Sequence, residues 1–224
     1  MNKEQFSRSI GLLSEEKFNL IQDKVIAIFG LGGVGGTALE ALARTGFKHF
    51  LVIDFDKVDP SNLNRQILYT SKDVGRLKVE AAKERILAIN EEADIKAFAC
   101  KAQEFDFTQK IDYIVDAIDD VDGKLFILQQ AQERNIPSIM SLGMANRFEP
   151  SMVRIAKLNQ TNNDPLAKKI RYLVKKNGLN TSNVPVVISS ELPQNNAGKL
   201  YSTMMVPSSA GLSIAKYILE SIII

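Results

Sequence analysis

A doubly wound α/β fold with a mostly parallel sheet is predicted by three features of the sequence. Val25 to Phe29 (VIAIF) is an uninterrupted apolar and mostly β-branched run, the pattern of a strand buried on both faces. It leads straight into Gly30-Leu31-Gly32-Gly33-Val34-Gly35, the glycine fingerprint of a strand-to-helix turn. Apolar runs and helical periods then alternate as far as Ser141, which is the succession a parallel sheet with crossover helices produces. The expected architecture is therefore Rossmann-like.

Taken in order, Gly33 to Gly46 reads as a helix with Leu39, Leu42 and Ala43 on one face, and Phe50 to Asp54 (FLVID) as the second strand. These elements complete one βαβ unit. A polar connection from Phe55 to Asp73 follows, longer than the usual link in such units, and long loops inside compact domains are functional more often than accidental. The helical period returns from Arg76 to Ile89, strands are expected over Ile95 to Cys100 and Tyr113 to Ala117, a helix over Lys124 to Arg134, and a strand over Ile136 to Ser141.

From Gly143 the alternation weakens. Met152 to Lys157 reads as an antiparallel strand, Pro165 to Lys176 as a basic amphipathic helix, Val184 to Ser189 as a strand, and Ala210 to Ile224 as a core-packing helix. With no internal repeat or flexible linker, the expectation is one continuous domain over residues 1–224, with a nucleotide-binding core near 24–142 and an appended substrate region near 143–224.

Composition narrows the function classes. A hydrophobic share of 45% over 224 residues suffices for a continuous core. The formal net charge of +2, from 28 basic and 26 acidic residues, neither requires nor excludes a nucleic-acid partner, so any basic surface is local. A single cysteine, Cys100, excludes an intrachain disulfide framework and a four-cysteine zinc site and points to a reducing compartment. The N-terminal residues lack the apolar block of a signal peptide, and the apolar C-terminal stretch carries Lys216 and Glu220 and falls short of the roughly 20 residues a membrane span needs. A cytoplasmic protein without stable membrane insertion is expected.

The chemistry-bearing residues cluster around the glycine turn. Gly30, Gly32, Gly33 and Gly35 let backbone N–H groups approach phosphates at a helix N-terminus, and Asp54, at the end of the next strand, can bond ribose hydroxyls of either NAD or ATP. Arg65, in Asn62-Leu63-Asn64-Arg65-Gln66, and Lys78 favour a triphosphate, whose attacked α-phosphorus needs cations to offset developing charge. Asp119 and Asp120 stand just beyond the strand that begins at Tyr113, where a carboxylate could hold Mg²⁺. No P-loop sequence occurs, so phosphate chemistry falls to the glycine turn. Cys100 is expected to be a buried structural thiol within its strand. His49, just ahead of a strand and with no second His, Cys or Ser partner in a triad pattern, is given no catalytic role.

The combination GLGGVGG, VIDFDKVDPSNLNRQ, GRLKVEAAKERI and VDAIDD resembles the E1-like superfamily of ThiF, MoeB and ubiquitin-activating enzymes. That resemblance implies ATP as co-substrate with Mg²⁺, Asp54 on the ribose, Asn62 and Arg65 on the phosphates with Asp56 and Gln66 beside them, Lys78 on the triphosphate, Asp119 organising Mg²⁺, and a homodimer in which Arg8 reaches the partner's ATP. Within the superfamily, FSRSIGLL, ALARTGFKHF, DPLAKKIRYLVKKNGL and VVISSELP look like the tRNA threonylcarbamoyladenosine dehydratase branch. By that likeness the substrate is adenosine 37 of tRNA carrying a threonylcarbamoyl group, and a sulfur-transfer protein is a candidate partner. The basic run Lys168, Lys169, Arg171, Lys175 and Lys176 would then contact tRNA phosphates. Two rival readings remain open at this point: adenylation of a ubiquitin-like protein's C-terminus, and a non-catalytic nucleotide sensor.

Overall fold

The computed structural model describes residues 4–162, 164–194 and 198–224. Two short helices, α1 (Ser7–Leu13) and α2 (Glu15–Gln22), precede the sheet and meet at Ser14, which sits at φ 77° and caps α2 through its hydroxyl. The strands are β1 (Val25–Phe29), β2 (His49–Ile53), β3 (Asp94–Phe98), β4 (Tyr113–Asp116), β5 (Ser138–Ser141), β6 (Val153–Lys157) and β7 (Pro185–Ser189). They form one seven-stranded sheet in the order β3-β2-β1-β4-β5-β7-β6, parallel except for β6, which pairs antiparallel with β7. Chain direction of the winding reverses between β1 and β4, so the ends of these two strands open a crevice for a ligand.

Helices cover both faces: α3 (Gly33–Thr45), α4 (Lys78–Ile89), α5 (Val121–Glu133), α6 (Pro165–Lys176) and α7 (Met205–Ile223). The alternation within β1 divides the core. Ile26 and Ile28 join Leu39, Leu42, Val52 and Ile214 on one face, while Ala27 and Phe29 join Ile53, Phe105, Phe107 and Ile127 on the other. A third apolar cluster lies under α6, where Ile170 and Val174 meet Met140, Val186 and Ile188. The residues from Gly143 onward thus extend the same sheet through β7 and β6.

α7 lies directly on the backbone of α3. A Cβ on Gly211 would come within 2.5 Å of the Val34 carbonyl oxygen and 2.7 Å of Thr37 Cβ, so only glycine permits this approach. Pro207 packs against Gly33, and Thr37 Oγ1 lies 3.2 Å from Ser208 Oγ.

Several boundaries differ from the sequence expectation for local reasons. α5 begins at Val121 rather than Lys124, because Asp120 caps it by accepting from the Gly123 amide at 2.7 Å. β3 ends at Phe98, whose carbonyl takes the last ladder bond from the Asp54 amide at 3.2 Å, so Cys100 lies beyond the strand and is half-buried rather than buried within it. His49 is the first residue of β2, 3.4 Å from Asp94 Oδ2 on β3.

Candidate active site

The ends of β1, β2 and β4 frame a cleft of about 820 Å³. Its floor is the glycine turn. Gly30 has φ +86°, and a Cβ there would stand 2.7 Å from the Ala117 carbonyl oxygen, so this position needs both the left-handed backbone and the missing side chain. A Cβ on Gly35 would fall 1.9 Å from the Gly30 oxygen. The turn is therefore wound tightly enough to present the first amides of α3 to the cleft.

Asp54 fixes that turn from the end of β2. Its Oδ2 accepts the Leu31 amide at 2.7 Å and its Oδ1 the Asp56 amide at 2.9 Å. Burial pushes its carboxyl above the ordinary range, opposed chiefly by nearby Lys78. Lys78 opens α4 and is only 6% exposed, with its ammonium donating to Asp56 Oδ2 at 2.7 Å. Its own amide donates to the Asp56 carbonyl at 3.0 Å, so side chain and backbone both hold the long loop against α4. Tyr69, buried beneath, donates its hydroxyl to the Leu31 carbonyl at 3.0 Å, and burial pushes that phenol up.

The long connection after β2 is ordered by its own turns. Asp59 and Asn62 cap each other across a 3-10 turn, Asp59 accepting from the Ser61 amide and Asn62 Oδ1 from the Asp59 amide. This places Asn62, Arg65 and Gln66 on the cleft wall. Arg65 Nη1 donates to the Ser61 carbonyl at 2.8 Å and to Asn64 Oδ1 at 2.9 Å. Gln66 is buried on that wall, and its Oε1 has no hydrogen-bond partner among the described residues.

The opposite wall carries Asp119 and Asp120. Their roles separate: Asp120 is committed to capping α5, whereas Asp119 is exposed and enters no hydrogen bond or ion pair among the described residues. Gly30, Gly32, Gly33, Asp54, Asp56, Asn62, Arg65, Gln66, Lys78 and Asp119 thus converge on one cleft. Gly35 lies behind the turn. Arg8, exposed on α1, is not on the cleft wall.

Sequence reasoning missed two features. The segment from Cys100 to Glu104 lines the cleft, with Lys101 5.8 Å from the Phe55 ring centroid, and burial raises the Cys100 thiol above its ordinary value. A strand assignment running through Cys100 concealed it. Behind the Asp119 loop, Lys124 and Asp116 form an ion pair of 2.8 Å with exposures of 0% and 2%. Lys124 also donates to the Ser141 carbonyl at 2.8 Å, Asp116 Oδ1 accepts from the Ile118 amide at 3.3 Å, and Asp116 Oδ2 has no partner among the described residues. The signal was present as a Lys eight residues after the strand's Asp, on the inward face of α5.

No group of three or more His, Cys, Asp or Glu side chains is arranged to hold a metal ion among the described residues. Nor, among them, is any helix long and apolar enough to cross a membrane.

Three comparisons accord with this geometry. The tRNA threonylcarbamoyladenosine dehydratase of Bacillus subtilis is 34% identical over 220 residues, covering 92% of this chain and 86% of the relative. The enzyme of the same name from Escherichia coli is 33% identical over 199 residues, covering 84% and 74%. The crystal structure of Escherichia coli tRNA N6-threonylcarbamoyladenosine dehydratase in complex with ATP superposes with a TM-score of 0.92 at 30% identity, covering 98% of this chain and 94% of that one. A profile of the ThiF family matches residues 6–191, and the chain belongs to that family.

Proposed function

We propose that this chain is an ATP-dependent tRNA threonylcarbamoyladenosine dehydratase. The observation that carries the reading is the convergence of Asp54, Asp56, Asn62, Arg65, Gln66, Lys78 and Asp119 around one glycine-floored cleft at the switch point of the sheet. Near full-length similarity to dehydratases supports the substrate.

In the reaction, a carboxylate oxygen of the threonylcarbamoyl group on adenosine 37 attacks the α-phosphorus of ATP, and the bond to pyrophosphate breaks. A nitrogen or oxygen of the neighbouring amide then attacks the activated carbonyl. AMP departs with the former carboxylate oxygen, so the substrate loses one water. Asp54 takes the ribose hydroxyls, the glycine-turn amides and Asn62 take the phosphates, and Arg65 and Lys78 offset charge developing at the α-phosphorus. The protein positions and stabilises and forms no covalent intermediate, in keeping with a Cys100 thiol held neutral by burial.

Mg²⁺ fits a cleft where Asp119 and Asp122 are the lining carboxylates without a partner among the described residues, since this ion takes one or two carboxylates and fills its remaining positions with phosphate oxygens and water. Asp119 would hold it, and the ion would screen phosphate charge. The chain works as a homodimer in the cytoplasm, with Arg8 of one subunit completing the other's ATP site, and a sulfur-transfer protein as a further partner.

The test is mass spectrometry of tRNA nucleosides before and after incubation with the protein and ATP. Loss of the mass of one water from threonylcarbamoyladenosine, with AMP and pyrophosphate formed in equal amounts, is expected. Pyrophosphate exchange dependent on a small protein ending in Gly-Gly, and not on tRNA, would instead make the chain an activator of a ubiquitin-like partner. ATP binding without exchange would make it a sensor.

A further inference from the structure

We propose that the outward face of α6 is a docking surface for the phosphate backbone of the tRNA, with Tyr172 as a stacking platform for an unpaired base. This deepens the tRNA reading above and rests on it.

Charge is unevenly distributed along the chain. Residues 165–190 contain Lys168, Lys169, Arg171, Lys175 and Lys176 and no Asp or Glu. With a net +2 for the whole chain, removing this +5 leaves −3 for everything else. A polyanion is therefore drawn to this flank in preference to the rest of the surface.

The helix sorts these residues by face. Ala167, Ile170 and Val174 are buried and fix which side faces the core. At 3.6 residues per turn the opposite side presents Lys168, Lys169, Tyr172, Lys175 and Lys176, all exposed, with Tyr172 at its centre and each lysine three or four residues away. Arg171 lies toward the flank of this face. Its guanidinium donates to the carbonyl and hydroxyl oxygens of Thr161, so it anchors the helix start and is withdrawn from the docking surface expected for it.

None of the four ammonium groups has a carboxylate or hydrogen-bond partner among the described residues, so all four are available to phosphates. Tyr172 is 65% exposed amid these cations. Cations tracking a backbone around an aromatic face are the combination that holds single-stranded loops without reading their sequence.

The placement suits the cleft. Asp164, the N-cap of α6, accepts the Gly143 amide at 3.2 Å just past the end of β5. α6 therefore starts at the same edge of the sheet where the cleft opens and runs away from it. Lys168 and Lys176 are spaced about 12 Å along the axis, a length over which a nucleic-acid strand presents several phosphates.

The experiment measures binding of fluorescently labelled tRNA carrying threonylcarbamoyladenosine to the full chain between about 50 and 200 mM salt. The variant Lys168→Ala/Lys169→Ala/Lys175→Ala/Lys176→Ala should show a slope of log affinity against log salt shallower by about 3, from the four lost phosphate contacts. Its affinity for ATP and its unfolding midpoint should stay at the parental values. Tyr172→Ala should weaken tRNA binding about tenfold, and Tyr172→Phe should retain it. Unchanged slope and affinity in the quadruple variant, with wild type binding normally, would overturn the surface and leave the tRNA reading standing. Equal loss in Tyr172→Ala and Tyr172→Phe would overturn the stacking role. Failure of the wild-type chain itself to bind or convert tRNA would overturn both readings.

Discussion

Lys124→Met keeps most of the side-chain volume of a fully buried residue while removing its ammonium, which bonds Asp116 at 2.8 Å and the Ser141 carbonyl at 2.8 Å. Asp116, buried and already carrying one oxygen without a partner among the described residues, would be left as a buried anion with a single remaining bond among them, from the Ile118 amide. Breaking a buried pair from one side costs about 3–5 kcal/mol, because the stranded charge loses its compensation. For a chain of this size each kcal/mol is worth about 2–4 °C, so the melting midpoint should fall by about 10 °C.

The sign with pH follows from Asp116. Burial already raises its carboxyl against the pull of Lys124, and removing Lys124 raises it further. A raised folded value means stability that is present below the unfolded value of about 4 and lost as pH rises through the folded value. The deficit of Lys124→Met relative to wild type should therefore shrink from pH 7 toward pH 4, measured by urea unfolding at each pH. Adding Asp116→Leu removes the stranded charge and should recover more than half of the loss at pH 7, since an apolar replacement of a buried pair is often close to neutral. A single-variant cost below about 1 kcal/mol, or a double variant no better than the single, would refute the assignment of this pair as the tie beneath the Asp119 loop.

Three further outcomes are expected. Arg65→Ala and Asp119→Ala should each lower adenylation at least about a hundredfold, read by pyrophosphate exchange, while circular dichroism stays native; near-normal turnover removes that residue from the site. Mixing Arg8→Ala with Arg65→Ala subunits in equal amounts should restore about a quarter of the sites, because half the dimers are mixed and each of these has one intact site; parental activity after confirmed subunit exchange would place Arg8 outside its neighbour's site. Cys100→Ser should retain activity, and saturating ATP should slow alkylation of the wild-type thiol because Cys100 lines the cleft; a substrate adduct on Cys100 would contradict the non-covalent mechanism.

The parts of the fold carried by local pattern were legible in the sequence. β1 and β2 are continuous apolar runs, and the glycine turn declares its geometry through residues that no side chain could replace. Strand order was beyond reach for β6 and β7, because hydrophobic period encodes which face is buried and not which neighbour it meets. Lys124 escaped notice for a related reason: a lysine on a helix reads as solvated, and only the tertiary position of Asp116 makes it internal. Arg171 was misjudged in the opposite direction, appearing equivalent to its basic neighbours until Thr161 claims its guanidinium. Among the cleft residues, Asp54, Asn62, Arg65 and Lys78 stood in recognisable spacing, whereas Cys100 to Glu104 carry no chemical motif and reach the wall only because β3 stops early.

The seating of α7 on α3 also orders events in time. The glycine turn is encoded near residue 30, yet the helix behind it is braced by Pro207, Ser208 and Gly211, some 180 positions further along. A growing polypeptide leaving the ribosome exposes the glycine turn well before the residues that brace it. At about 5–20 residues per second, that interval amounts to roughly ten seconds or more during which α3 has an uncovered apolar side. Nucleotide bound in that interval would meet an unsupported helix, so ATP is expected to stabilise the nascent chain only once the residues around Gly211 have emerged, and the apolar face of α3 is the stretch that a chaperone would have to shield until then.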